Sequence, residues 1–544
     1  MEGPEKSGST LAGLKAVSLL TLVSRITGLA RDALMASLFG TGWVLDAFTV
    51  AFRVPNMFRR LFGEGAVTAA LLPEFVAVDQ THGRQAAADL FAEVAYRLIR
   101  ILGTTILAIE AVLLLAWLFG NLTERNQVLC ELAILMMPYA VLICIAATLS
   151  AGLNAVQHFV IPALVPVALN IVWLIGGLLA AWLIDVDVHE ARTIAVCILL
   201  GGIVQLLLSQ AWARRFGLRI RWRPSPDADA DSAERATAVF RAMMPVLLGL
   251  SIMQINTLVD SALAWLLVPE TSGLKAESLR HFRLPEGCAS ALYLGQRLFQ
   301  FPMGVFGIAL STVLFPRFAR HAREGDTQLL TRDILHGLQL VTVVGIPASA
   351  GLCFMAEPIT SLLFRHGQFS AADAILTSRM IAAHGVGVWI FCALLIVNRV
   401  FYATGDRHTP MRQGLTCVGM NLVFSFALIP LCGGPALALA SVIATLFQLG
   451  LALEVLRRRA YLSRCRRHLS AILWRSLPGT ALMTAAGMGT LAWLDQSESV
   501  GDDIVSRGLL VAGPMAVAVA VYLVTLVVGG VSPKRLLREP FGSD

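Results

Sequence analysis

The chain has 544 residues, of which 56% are hydrophobic and 15% are charged, and its formal net charge is +7. Soluble proteins carry about 25% charged residues, so a water-soluble fold could not cover this many apolar side chains with polar surface. The composition therefore excludes an ordinary soluble protein and indicates an all-α integral membrane protein. The basic residues cluster in loops between apolar segments, which indicates membrane orientation and not binding to nucleic acid.

Predicted membrane spans fall into two sets of six and a final pair, which gives about 14 spans of about 20 mostly apolar residues each. They begin near Leu14, Trp43, Ala88, Gln127, Phe159 and Ala191, then near Ala238, Cys288, Leu329, Ala372, Thr409 and Gly434, and finally near Leu469 and Ile504. The divisions that we expect are an N-terminal lobe at 1–213, a cytoplasmic loop at 214–237, a C-terminal lobe at 238–458, and the last two spans with the tail at 459–544.

Loop charge predicts how these spans are oriented. Basic runs follow even-numbered spans, as at 214–223 and 457–468, whereas the loop 185–190 after an odd-numbered span is acidic. Basic loops remain in the cytoplasm under the positive-inside rule, so both termini are expected there. An even number of spans independently requires both termini on one side of the membrane.

Signatures of enzymes and cofactor sites are missing from the sequence. The nine cysteines form no CxxC pair and lie mostly in apolar runs, so we expect neither a disulfide framework nor a cysteine-bound metal. Walker A, HExxH and GxSxG motifs are also lacking. We therefore predict a transporter without a bound cofactor. The alternative of an intramembrane polyprenyl-phosphate transferase would require a metal-binding acidic motif or a large extramembrane domain.

Ionised residues interrupt the first two predicted spans. They are Arg25, Arg31 and Asp32 in the first span, and Asp46, Arg53, Arg59, Arg60 and Glu64 in the second. Each would cost at least about 2.5–3.5 kcal/mol if it faced lipid, so they must face one another or a water-filled cavity. Asp46, Arg53 and Arg60 recur every seven residues and so share one helical face. Pro55 predicts a kink within this span.

This polar stripe contains more arginine than acid. Guanidinium forks match phosphate and carboxylate groups, so we interpret Arg25, Arg53 and Arg60 as contacts for an anionic substrate. An alternative interpretation assigns Arg31, Asp32 and Glu64 to interhelical ion pairs or to helix ends where side chains reach the interface. Arg60 and Glu64 stand four residues apart and can pair across one α-helical turn.

A weak internal repeat relates the two sets of six spans. Residues 60–62 read Arg-Leu-Phe and precede Leu-Leu-Pro-Glu-Phe at 71–75, while 297–299 and 314–318 read Arg-Leu-Phe and Leu-Phe-Pro-Arg-Phe. Two related halves around a central site recur among transporters. The repeat therefore predicts that Arg297, in the eighth span, lies opposite the stripe of the first half.

Two polar residues lie within predicted spans of the second half. Asp260 is in the seventh span and Asn421 is in the eleventh. Their oxygen atoms could together ligate a small monovalent cation, which predicts a weak cation site. The alternative is a hydrogen bond between the two helices.

Six segments of the sequence form a recognisable set. In the first half they are Ser24-Arg25-x-x-Gly28-x-x-Arg31-Asp32, Asp46-Ala47-Phe48 and Pro55-Asn56-x-x-Arg59-Arg60-x-x-x-Glu64-Gly65. In the second half they are Arg297-Leu298-x-x-Phe301-Pro302-x-Gly304-Val305-x-Gly307, Phe364-Arg365-His366-Gly367-Gln368-Phe369 and Phe401-Tyr402-Ala403-x-x-Asp406-x-x-Thr409-Pro410. This set, which extends from the first span to the start of the eleventh, resembles the MurJ (MviN) family of lipid II flippases.

The resemblance implies the fold of the multidrug/oligosaccharidyl-lipid/polysaccharide exporter superfamily, with two six-helix lobes in a V and a lipid-tail groove at the last two spans. It implies that lipid II, an undecaprenyl-pyrophosphoryl disaccharide-pentapeptide, moves from the cytoplasmic to the periplasmic leaflet of the inner membrane in peptidoglycan biosynthesis, which maintains cell shape. We expect a monomer among membrane lipids. The positions that match the family's essential cavity residues are Arg25, Arg31, Asp46, Arg59, Arg60, Glu64 and Arg297.

The sequence also departs from the family pattern. Gln296 stands where many relatives have Asp or Asn, and Arg53 stands where Lys is common. Some relatives bind sodium in the second lobe, but Ser425 stands one turn after Asn421, where an acid would strengthen such a site. Two alternatives remain within the superfamily, a polysaccharide-repeat lipid flippase and a drug/cation antiporter. A cationic drug would favour an acidic cavity, whereas this stripe is basic.

Overall fold

The computed structural model of the chain consists of helices joined by turns. It describes residues 4–220, 230–269, 281–459, 461, 465–496 and 503–531, with backbone alone at 4–15, 63–64, 230–231 and 465–469. No strand occurs in these ranges, which confirms the predicted all-α class. Residues 221–229 of the predicted loop and the tail after 531 lie outside the described residues.

The described residues form two compact units, one up to Leu258 and one from Val259 onward. The division falls inside the helix Ala230–Leu266, and the predicted lobe bounds at 1–213 and 238–458 stay a prediction. It falls there because successive parts of this helix bind different neighbours. Thr237 accepts a hydrogen bond from Arg97 in the first unit, whereas Asp260 is buried within the second.

The first unit contains eight helices and the beginning of a ninth among its described residues. They are α1 (Pro4–Phe39), α2 (Trp43–Phe58), α3 (Val67–His82), α4 (Arg84–Phe119), α5 (Glu124–Met136), α6 (Pro138–Ala155), α7 (Val160–Leu183), α8 (Asp187–Arg215) and α9 (Ala230–Leu266). Small residues allow α7 and α8 to pack closely. A Cβ atom on Gly176 would lie 2.4 Å from the sulfur of Cys197, and one on Gly201 would lie 2.7 Å from Leu169.

The second unit contains the end of α9 and ten further helices among its described residues. They are α10 (Cys288–Pro302), α11 (Ala309–Glu324), α12 (Thr327–Phe354), α13 (Ala356–Phe364), α14 (Ala371–Gly385), α15 (Val388–Ala403), α16 (His408–Cys432), α17 (Pro435–Arg458), α18 (Cys465–Asp495) and α19 (Ile504–Val528). The last two helices belong to this unit because they pack on α12. The hydroxyl of Tyr522 donates a hydrogen bond of 2.6 Å to the carbonyl of Val343.

Eleven helical segments among the described residues are long and apolar enough to cross a bilayer. A twelfth is added if the bent pair Ala371–Gly385 and Val388–Ala403 counts as one span. Helices α1 and α18 lie where the first and thirteenth spans are predicted, but they are not among these segments. The multi-pass membrane fold is therefore confirmed, whereas the total of about 14 spans stays a prediction.

Two spans widen into π-helical segments that the sequence did not predict. Arg59–Ala66 separates α2 from α3, and Met303–Ile308 separates α10 from α11. Both lie in the stretches related by the internal repeat. A proline precedes each one, Pro55 within α2 and Pro302 at the end of α10. Proline removes one helical hydrogen bond, which is why a kink is predicted at Pro55. This position lies one turn before the wider π-helical segment begins.

The matched segment 364–369 forms the turn between α13 and α14. Gly367 has φ +57°, a left-handed conformation that favours glycine. Arg507 of α19 donates from Nη1 to the carbonyl oxygen of Arg365 at 2.5 Å. The turn therefore anchors the last helix to its unit.

The matched segment 401–410 forms the turn between α15 and α16. Asp406 accepts hydrogen bonds from the backbone N–H of Thr409 at 2.9 Å and from its hydroxyl at 2.7 Å. Arg459, after the end of α17, donates to the same carboxylate at 2.6 Å. Burial alone would raise the pKa of Asp406, but the bonds from Thr409 and Arg459 outweigh it and hold the pKa at about 2.

We expect Asp406→Asn to lower the thermal unfolding midpoint of the purified protein at pH 7, because asparagine can cap α16 but cannot pair with Arg459. Asp406→Ala, which also loses the cap, should cost about 1 kcal/mol more. Since the folded pKa is depressed, the contribution of the carboxylate is complete above its ordinary pKa of 3.8 and is lost as pH falls through about 2.

Asp326→Asn is the matched control for this measurement. Asp326 caps α12 by accepting from the N–H of Leu329 at 2.8 Å, and no ion pair joins it to any described residue. Asparagine should therefore replace it with little change. An Asp406→Asn protein that unfolds at the wild-type temperature at pH 7 would contradict the role of the Arg459 pair.

Candidate functional site

The charged residues predicted in the first unit lie on three consecutive pieces of helix. Arg25 and Arg31 are on α1, Asp46 and Arg53 are on α2, and Arg59, Arg60 and Glu64 are in the π-helical segment. Arg31 and Asp46 are only 5% and 1% exposed, whereas Arg25 is exposed and Arg53 is half-buried. The side chain of Glu64 lies outside the described residues. The predicted set is thus divided into buried and accessible charges.

Arg31 and Asp32 form a buried ion pair on α1. Nη2 and Nε of Arg31 donate to one oxygen of Asp32 at 2.7 and 3.1 Å. Nη1 donates to Oδ1 of Asn170 at 3.2 Å, and the guanidinium carbon lies 4.4 Å from the ring centre of Trp173. A buried ion pair needs such additional partners to offset its desolvation. This geometry supports the structural alternative for Arg31, in which it fixes α1 against α7.

Arg25 has the opposite environment to Arg31. Its side chain is exposed, and no hydrogen bond or ion pair joins it to any residue that the structure describes. An arginine in this position can offer its full set of N–H donors to an anion. Among the predicted residues, Arg25 is therefore the one whose guanidinium is most open to an anion.

Arg59 and Arg60 are both half-buried. Arg59 donates from Nε to the side-chain oxygen of Asn56 at 3.0 Å, which links two residues of one matched segment. The predicted pairing of Arg60 with Glu64 stays a prediction, because the side chain of Glu64 lies outside the described residues. The backbone that joins the two residues is π-helical and not α-helical as the sequence analysis assumed.

Arg297 lies on α10 of the second unit and is half-buried. Its Nη2 and Nε atoms donate to the hydroxyl of Tyr293 at 2.9 and 3.3 Å, and its guanidinium carbon lies 5.1 Å from the centre of that ring. Tyr293 stands four residues earlier and therefore on the same helical face. The hydroxyl of Tyr293 therefore orients the guanidinium of Arg297.

Asp260 and Asn421 meet, as the sequence predicts, in the interior of the second unit. Asn421 donates from Nδ2 to Oδ1 of Asp260 at 2.6 Å, and Ser441 donates to Oδ2 at 3.0 Å. Sodium needs oxygen ligands, but here the amide nitrogen faces the carboxylate and both carboxylate oxygens accept hydrogen bonds. As arranged, these residues form the helix–helix hydrogen bond that the sequence left open as the alternative, and the cation site stays a prediction. Among the described residues there is also no cluster of acidic, histidine and cysteine side chains suited to a metal.

The sequence analysis did not predict the side chains that bond to Arg31, Arg297 and Asp260. Asn170 is the only amide, hydroxyl or charged side chain in the helix Val160–Leu183, and a polar residue in such a context commonly bonds a neighbouring helix. That signal could have been used. Trp173, Tyr293 and Ser441 carry no comparable signal, because aromatic and small polar residues are common in membrane helices.

Comparison with known proteins identifies the family. The family model described as "Lipid II flippase MurJ" matches residues 35–500. A relative from Rhizobium meliloti named "Probable lipid II flippase MurJ" is 30% identical over 531 residues, which is 95% of this chain and 94% of the relative. A relative of the same name from Vibrio cholerae is 29% identical over 539 residues, which is 96% of each chain.

Solved structures show the same fold. A structure described as "Lipid II flippase MurJ, inward closed conformation" has a TM-score of 0.70 and 20% identity, and the match covers 96% of this chain and 99% of that one. An inward-facing multidrug resistance MATE transporter of the MOP superfamily has a TM-score of 0.62 and 13% identity over 82% of this chain and 95% of that one. With the family match across 35–500, the chain belongs to the MurJ family of lipid II flippases.

Proposed function

We propose that this protein flips lipid II from the cytoplasmic to the periplasmic leaflet by alternating access. The headgroup of lipid II contains a diphosphate, so its carrier needs accessible cationic groups within the membrane. The observation that carries this proposal is Arg25, an exposed arginine on α1, the predicted first span, to which no described residue is bonded. Family membership supports lipid II as the anion. It also makes the protein a transporter of the bacterial inner membrane and not an enzyme.

The diphosphate is assigned to Arg25, Arg53 and Arg60. Guanidinium forks bind phosphate oxygens in pairs, and all three side chains are at least partly accessible. Arg59 already donates to Asn56, so it contributes mainly positive potential.

The remaining predicted residues have supporting roles in this proposal. Arg31 is engaged with Asp32 and positions α1. Asp46 and Glu64 limit the surplus of positive charge, so that the diphosphate is released after the transition. Arg297, oriented by Tyr293, contributes a further cation.

We infer that the drive for transport is the membrane potential, an ion gradient or consumption of the product, since the sequence contains no Walker A motif. An inside-negative potential favours outward movement of anions by about 2.3 kcal/mol per charge per 100 mV. This sign is correct for an anionic headgroup.

The protein acts as a monomer with both termini in the cytoplasm, as loop charge supports. Residues 1–213 and 238–458 act as two lobes that rock against each other, and 214–237 is a cytoplasmic link. The helices within 459–544 guide the polyprenyl tail.

The two alternatives within the superfamily would carry other substrates. A polysaccharide-repeat lipid also carries a polyprenyl diphosphate and would use the same arginines. A cationic drug would not, because the accessible charges of the first unit are mostly arginines. The 13% identity to the MATE transporter concerns the fold alone.

We expect this gene to restore lipid II exposure in a bacterium depleted of its own flippase. Arg25→Ala and Arg60→Ala, expressed at wild-type levels, should restore little, because each removes a charge-assisted phosphate contact worth about 1.5–3 kcal/mol. Arg25→Lys keeps the charge but loses the fork, and should be intermediate. The measurement is the fraction of lipid-linked precursor cleaved by a lytic enzyme added outside the inner membrane.

Arg100→Ala is the matched control. Arg100 is an exposed arginine of the same unit on α4, and its guanidinium lies 5.7 Å from the ring of Tyr96. We expect wild-type exposure from this variant. A wild-type protein that restores nothing would exclude lipid II and favour the polysaccharide-repeat lipid. Full activity of Arg25→Ala would remove Arg25 from the binding set.

The cation site at Asp260 and Asn421 stays a prediction, and sodium replacement tests it. Because both oxygens of Asp260 accept hydrogen bonds, we expect purified protein in vesicles with an imposed potential to flip lipid II equally in sodium and choline buffers. The measurement is the rate at which labelled lipid II becomes accessible to an impermeant quencher. A tenfold or greater loss of rate in choline would instead support sodium coupling.

A further inference from the structure

We propose that Asn170 and Trp173 of α7 are positioning residues for the cationic site, an inference that rests on the proposed function. Both act on α1, Asn170 through Arg31 and the backbone and Trp173 through Arg31. They are 6% and 2% exposed, so they are not themselves available to a headgroup.

The ion pair between Arg31 and Asp32 cannot hold its shape alone. Adjacent residues on an α-helix point about 100° apart, so the arginine must fold back along its own helix to reach the aspartate. Nε and Nη2 are used in this way, on a single carboxylate oxygen. The direction of Nη1 is then set from outside α1, by the side-chain oxygen of Asn170.

Asn170 also binds α1 one and two turns before Arg31. Its Nδ2 donates to the carbonyl oxygen of Ser24 at 3.1 Å and to the hydroxyl of Thr27 at 3.2 Å. Ser24, Thr27 and Arg31 follow i, i+3, i+7 spacing and therefore form one helical face. Arg25 lies about 100° around the helix from Ser24. By fixing one face of α1, Asn170 determines where the exposed guanidinium of Arg25 points.

Trp173 connects the two helices that carry the predicted stripe. It covers the guanidinium of Arg31, and its Nε1 donates to the sulfur of Met35 at 3.3 Å. On α2, the rings of Phe48 and Phe52 lie 5.6 and 5.1 Å from the tryptophan ring. Trp173 therefore fixes the position of α1 relative to α2. It thereby also fixes the relative positions of Arg25 on α1 and Arg53 on α2. Such preorganisation reduces the ordering cost of binding an anion between the two helices.

The test compares binding and stability in the same purified proteins. We expect Asn170→Leu and Trp173→Leu to bind lipid II about tenfold more weakly than wild type, because a helix-positioning contact or a cation–π contact is lost. Trp173→Phe keeps a ring over Arg31 and should stay within about threefold of wild type. Affinity is measured by titrating lipid II into detergent-solubilised protein, and unfolding midpoints are measured without ligand.

A second asparagine variant separates the donors of Asn170 from its acceptor. Asn170→Asp keeps the size and the oxygen that accepts from Arg31, but it loses the donors to Ser24 and Thr27 and adds a buried charge beside Asp32. We expect about tenfold weaker binding when the proteins are compared at equal concentrations of folded protein. Trp117→Leu is the control, since Trp117 of α4 donates to Glu131 at 3.1 Å in the same unit and should leave affinity unchanged.

The outcomes separate the two proposals. Wild-type protein that does not bind lipid II would overturn the proposed function and this inference with it. If wild type binds and Asn170→Asp and Trp173→Leu bind equally well, the function stands and the positioning role is wrong. Binding losses that match a loss of folded protein would also overturn the positioning role. Weaker binding by Asn170→Asp at an equal concentration of folded protein supports it.

Discussion

The buried pair of Arg31 and Asp32 is the interaction on which the arrangement of the first unit depends. Removing each charge from water costs several kcal/mol even after relaxation, so the pair persists only where further partners meet it. Asn170 and Trp173 supply those partners from a helix that is otherwise apolar. Consequently α1 cannot slide along α7 without exposing a charge to an apolar surface.

The same physics divides the arginines of this protein into two kinds. Arg31 has its donors engaged, whereas Arg25, on the same helix, is bonded to no described residue. A locked arginine defines geometry, and an accessible one can exchange water for phosphate. Charge count alone does not separate these kinds, because a sequence records both simply as arginine in an apolar span. The distinction comes from which face of the helix meets a polar partner.

The sequence predicted the helical class, the positions of most spans, and the meeting of Asp260 with Asn421, because these follow from apolar length and from the cost of isolated polar groups. It did not predict the π-helical segments, since one extra residue in a single turn is a local change that the periodicity of a whole span does not reveal. It also did not predict Trp173 as a joint between α1 and α2. That role depends on how three helices pack, which periodicity within one helix does not encode.

The second unit shows how the choice of one side chain bears on a cation site. Ser425 stands one turn after Asn421, where an acid would strengthen such a site, and the two oxygens of Asp260 accept hydrogen bonds from Asn421 and Ser441. A lone carboxylate that already accepts two hydrogen bonds gains less from a cation than a pair of acids would, because bringing two acids together is costly unless a cation binds between them. We therefore expect sodium to contribute little free energy to the cycle. On that expectation, the negative charge of the headgroup is the main quantity through which the membrane potential acts.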